Sequence, residues 1–126
     1  MEQRIFTRLF VVIIIYNKKS EVKQINNKVF TNIDLEDRKE YVALVNNFAT
    51  SQFNETENEE ILDDYISSLL FYEYYIQNKI VIKNLDDEIY LIYKKNIKSS
   101  NQLDKIQIKK FKFNTKIDLV RNKIIE

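Results

Sequence analysis

The sequence predicts an α+β fold. The expected architecture is a mainly antiparallel sheet with two central helices, order β-β-α-α-β-β-β-α, in a single domain spanning residues 1–126. Three observations lead there. Residues 9–16, Leu-Phe-Val-Val-Ile-Ile-Ile-Tyr, form a continuous β-branched and aromatic run. Apolar residues between 41 and 76 recur at helical spacing. Short alternating segments then follow from residue 79 onward.

The first run reads as an interior strand, with Val12 and Ile14 buried, because β-branched side chains lose rotamer freedom in a helix. Residues 17–20 read as a turn. Residues 21–25 and 28–31 read as strand pieces joined by a bend at Asn26 and Asn27. Asp34 then has the character of an N-cap, with Glu36 and Asp37 where a helix dipole favours negative charge. Tyr41, Val42, Val45, Phe48, Ala49 and Phe53 continue at helical spacing. Thr56 and Glu59 are spaced as a capping box for a second helix. That helix gathers Ile61, Leu62, Tyr65, Ile66, Leu69, Leu70, Tyr72 and Ile76, although residues 69–76 are aromatic enough to suit a strand.

Residues 79–83 and 88–94 flank Asn84-Leu-Asp-Asp87, a hairpin pattern. Residues 105–113 alternate, with one slip at Lys109 and Lys110 that suggests a bulge. Residues 117–125 read as a short final helix. The chain has no Gly, so positive-φ positions fall to Asn: Asn17, Asn26, Asn27, Asn46, Asn47, Asn78 and Asn84 are the candidates.

Composition narrows the chemistry. Ile, Lys, Asn, Phe and Tyr supply 65 of 126 residues, the pattern of a very AT-rich genome. Without His or Cys, the commonest general base, the thiolate nucleophile and the zinc-thiolate site are all excluded. Without Gly, no phosphate-cradling loop of the usual kind can form. The acids Glu59, Glu60, Asp63 and Asp64 read as a solvated helix start, with no metal implied. No cofactor, metal site or catalytic residue is expected, and the chain reads as no enzyme. The apolar run at 9–16 is too short to span a membrane, so an intracellular location, cytoplasm or organelle matrix, is expected.

Charge is segregated. Residues 1–33 carry +4, residues 34–90 carry −10 and residues 91–126 carry +7, although the net charge is only +1. Two surfaces stand out. Lys109, Lys110, Lys112 and Lys116 interleave with Phe111 and Phe113, the residue types that contact phosphates and stack on bases. On an alternating strand, Lys110 and Lys112 would lie opposite Phe111 and Phe113. Tyr72, Tyr75, Tyr90 and Tyr93 are the second set, candidates for a protein interface. The favoured expectation is a structural or adaptor subunit that binds the protein subunits of a larger complex. The alternative is an RNA-contacting subunit of a ribosome-like particle, organelle-encoded or otherwise.

Overall fold

A computed structural model describes residues 12–16, 21–25, 28–47, 49–97 and 103–126, with side-chain burial described from Val29 onward. The chain is mostly helical, which overturns the expectation of a mainly antiparallel α+β fold. Strands β1 (Val12–Tyr16), β2 (Glu21–Ile25) and β3 (Lys28–Phe30) come first. Four helices follow: α1 (Asn32–Asn46), α2 (Glu55–Gln77), α3 (Leu85–Asn96) and α4 (Lys105–Ile125). They hold 15, 23, 12 and 21 residues, against 5, 5 and 3 in the strands.

The strands pair antiparallel in the order β1-β2-β3, with Ile14 opposite Lys23 and Lys23 opposite Phe30. β1 is therefore an edge strand among the described residues, not an interior one. The segments expected to cover its other edge are helical or irregular instead. The expected burial of Val12 and Ile14 lies outside the described side chains, as do residues 9–11 of that run.

Helix starts explain most of the remaining differences. The cap of α1 is Thr31 rather than Asp34: the Asp34 amide donates to Thr31 Oγ1 at 3.4 Å, and the Thr31 amide donates to Asp34 Oδ2 at 2.8 Å. α2 starts two residues earlier than the Thr56–Glu59 spacing suggests. Asn54 is its cap, reciprocally bonded with Glu57 at 2.8 and 3.2 Å. Residues 69–76 belong to α2 throughout.

The expected hairpin around Asn84–Asp87 does not form. Asn84 adopts φ 62° and opens α3, whose first turn carries Asp86, Asp87 and Glu88 and whose last turn carries Lys94 and Lys95. Those charges match the helix dipole at both ends. The expected strand at 105–113 is also helix. Asp104 and Gln107 close a capping box at 2.8 and 3.0 Å, and α4 runs on through the final helix expected at 117–125. Positive φ falls at Asn47, Asn84 and Lys79, while Asn46 is helical and Asn78 has φ −96°. Asn17, Asn26 and Asn27 lie outside the described residues.

α4 is the hub of the fold. It packs on α1, α2 and α3. Ile117 and Val120 are fully buried, at 0% exposure. Phe30, Ile66, Leu70 and Phe71 form one buried cluster; Leu85, Ile89 and Val120 form another. Ile124 touches both. A sequence whose core hangs on one helix is sensitive to cavities there. Ile117→Ala is expected to cost about 2–5 kcal/mol, read from the shift in urea midpoint at unchanged slope. A cost below about 1 kcal/mol would show that α4 is not the hub.

Candidate functional site

Two constellations sit on α4, one on each side. The first is buried. The Arg38 side chain of α1 is 1% exposed and reaches across to α2 and α4. Its Nη1 donates to Asn114 Oδ1 at 2.9 Å. Its Nη2 donates to both carboxylate oxygens of Asp118, at 2.7 and 2.9 Å, and to Asp64 Oδ2 at 3.1 Å. Ser68 Oγ also donates to Asp118 Oδ1, at 2.7 Å. Arg121 closes the outer side, with Nη1 donating to Asp64 Oδ1 at 2.7 Å and to the Asp64 carbonyl at 3.0 Å.

The guanidinium lies 5.0 Å from the Tyr41 ring centroid and 5.4 Å from that of Tyr65, within cation–π range. The Tyr41 hydroxyl is hydrogen-bonded with Thr115 Oγ1 at 3.2 Å. Burial pushes the Tyr41 phenol up from its ordinary value of 10.0; the Thr115 hydrogen bond opposes this, the Asp118 charge adds to it and Arg38 opposes it. Burial also pushes Tyr65 up, with Asp34 adding and Arg38 opposing. This constellation ties helices together, because its carboxylates are occupied by guanidinium groups. Asp64 is thus part of an ion-pair network, which corrects its reading as a merely solvated acid. Glu59 and Glu60 are exposed.

The second constellation faces the opposite side of α4. α3 and α4 run antiparallel, with Glu88 beside Lys123 and Tyr93 beside Phe111. Between them lies a groove of about 480 Å³ lined by Asp86, Ile89, Tyr90, Lys109, Lys112, Phe113 and Lys116. Ile89 is buried, Phe113 is 37% exposed and Tyr90 is 52% exposed. Three lysines therefore stand over an apolar and aromatic floor, with a single carboxylate among the lining residues.

The lysines also cover neighbouring rings. Lys112 Nζ lies 4.8 Å from the Tyr93 centroid, Lys116 Nζ 5.8 Å from that of Tyr72 and Lys94 Nζ 5.8 Å from that of Tyr90. Tyr75 stacks on Tyr72 at 5.7 Å, and Phe113 meets Tyr72 edge-on at 5.5 Å.

Residues expected to belong to two rival functions thus meet on one surface. Lys109, Lys112, Lys116 and Tyr90 line the groove, with Tyr72 and Tyr93 at its lysines. Tyr75 packs against the buried cluster of Leu85, Ile89 and Val120. Lys110 is not part of the groove. It points to α1 and pairs with Asp37 at 3.2 Å. The expected alternation, Lys110 and Lys112 opposite Phe111 and Phe113, fails because α4 is helical. Phe111 is buried, while Phe113 shares the groove with Lys109 and Lys112, four and one residues away.

Sequence reasoning missed the floor residue Ile89 and the whole Arg38 network, while Phe113 was singled out beside the lysines. One signal for the network was available. The chain uses 16 Lys but only four Arg, and Arg38 spreads its two terminal nitrogens over Asn114, Asp64 and Asp118, a fork that Lys cannot make. Among the described residues no group of three or more His, Cys, Asp or Glu is placed to hold a metal ion, and no helix is long and apolar enough to cross a membrane. No family model, curated protein or solved structure matches the chain.

The network makes a graded prediction. Asp118→Ala leaves a buried guanidinium short of its main partner and is expected to cost about 3–5 kcal/mol. Asp64→Ala, at a side chain 48% exposed, is expected to cost about 1 kcal/mol or less. Equal losses in urea titration would contradict this ranking.

The tyrosines set a pH limit. A raised phenol holds its proton more tightly in the folded state, so its contribution is complete below the ordinary value of 10.0 and is lost as pH rises through the higher folded values. Stability should therefore fall from about pH 10 upward, and the double variant Tyr41→Phe, Tyr65→Phe should flatten that fall. An unchanged slope in the variant would assign the alkaline loss to other groups.

Proposed function

We propose that this chain is a non-catalytic adaptor or structural subunit, and that it works by binding protein through the α3–α4 groove. The observation that carries this reading is the state of the tyrosine rings. A platform for single-stranded nucleic acid needs aromatic faces open to bases. Here Tyr72 and Tyr93, both partly buried, each have a lysine of the same chain within cation–π range. Tyr72 is further flanked by Tyr75 and Phe113, and Tyr93 by Phe111. What stays open is an apolar floor with ammonium groups around it, the kind of anchor pocket with polar rim found at protein interfaces.

The lysines of the groove make no ion pair among the described residues, so their charge is available to a partner. The net charge of +1 fits this reading better than broad contact with a polyphosphate.

The test is affinity purification of the tagged chain from its native source, with and without ribonuclease. Retention of a protein partner should survive ribonuclease. Tyr90→Ala and Phe113→Ala should each weaken it by about 2 kcal/mol, the scale of an interface hot spot, with helicity by circular dichroism unchanged. Release by ribonuclease, with binding that collapses as salt rises, would favour the RNA-contacting alternative instead.

A further inference from the structure

Resting on that reading, we infer that the groove's occupant is an acidic, amphipathic helix of a partner protein, one that sets carboxylates against Lys109, Lys112 and Lys116 and an apolar side chain against Ile89, Tyr90 and Phe113. The three lysines are spaced three and then four residues apart on α4. At about 1.5 Å per residue they stand roughly 4.5 and 6 Å apart along the axis. A second helix laid along the groove parallel to α4 repeats this rise, so carboxylates at i, i+3 and i+7 meet the lysines one to one.

The same face of that helix carries position i+4, which falls over the floor between the lysines. The floor offers an apolar anchor site there: Ile89 buried, Phe113 and Tyr90 half covered. An extended peptide repeats every two residues and rises about 3.3 Å per residue, which does not match a three-then-four spacing. Charge complementarity selects an acidic partner, since three lysines face one carboxylate, Asp86.

The ring contacts position the lysines for this. Lys112 and Lys116 lie over Tyr93 and Tyr72, which limits their swing before the partner arrives. A partly ordered side chain loses less freedom on binding.

The experiment uses the full chain and a fluorescein-labelled helical peptide of about 16 residues, roughly four turns, with Glu at i, i+3 and i+7 and Leu at i+4. Its controls are a scrambled peptide of equal composition and an oligouridylate of similar length. Anisotropy should show the patterned peptide binding about tenfold or more tighter than the scrambled one. The triple variant K109E/K112E/K116E should lose that binding. It should then bind a peptide with Lys in place of Glu, which also shows that the variant is folded.

Equal binding of patterned and scrambled peptides, both weakened by Tyr90→Ala, would overturn the helix inference and leave the protein-binding reading standing. Displacement of the peptide by the oligouridylate would overturn both. Sedimentation showing that the groove is filled by a second copy of the chain, lost in the triple variant, would also overturn the inference, because the occupant would then be the chain itself.

Discussion

The Arg38–Asp118 contact is the constraint on which the helical assembly turns. A guanidinium at 1% exposure has given up its hydration, and only dense hydrogen bonding offsets that loss. Both oxygens of Asp118, one of Asp64 and the Asn114 amide oxygen provide it. These partners come from α2 and α4, while Arg38 comes from α1. The charge therefore has its partners only when all three helices are docked in one register. Apolar packing by itself tolerates sliding, since one aliphatic surface is much like another. A planar fork does not.

That constraint divides α4 into two faces. Phe111, Asn114, Thr115 and Asp118 recur at helical spacing and look toward α1 and α2. Lys109, Lys112, Phe113 and Lys116 look toward α3. With the first face fixed by ion pairs, the second is docked on α3 by the Lys123–Glu88 pair, which leaves Lys109, Lys112 and Lys116 out of ion pairs among the described residues.

Parts of this were legible in the sequence and parts were not. The helical spacing was plain from Tyr41 to Val45 and from Ile61 to Ile66 but open over residues 69–76, and its expected continuation through Ala49 and Phe53 fails because α1 ends at Asn46 and both residues are extended. Residues 105–113 were not, because Ile106, Ile108, Phe111 and Phe113 satisfy a strand period and a helix period about equally well. The deciding feature was local: Asp104 and Gln107 form a reciprocal cap, and a cap seen only as two polar residues carries little weight beside an alternating pattern. At Asn84-Leu-Asp-Asp87 the polar residues that suggested a hairpin tip are the acidic first turn of α3. Once those two segments became helix, the expected sheet lost the strands that would have covered β1. The site was legible as residue types. Lys109, Lys112, Lys116 and Tyr90 were singled out, but as rival surfaces, because only helical geometry brings α3 and α4 together.

The low net charge has a counterpart in space that the ion pairs make concrete. Lys110 pairs with Asp37, Arg121 with Asp64 and Lys123 with Glu88. Each joins the basic end of the chain to its acidic middle, so the segregation seen along the sequence is partly cancelled in space. At the groove, the lysines make no ion pair among the described residues. Lys109, Lys112 and Lys116 fall within about 11 Å of one another along α4, close to the screening length of roughly 8 Å at physiological salt. Neighbouring lysines therefore act together on a ligand in the groove and only weakly on anything farther away. A field of that range recognises a partner already in contact and gives little long-range capture. This suits a docking surface better than a scanning one.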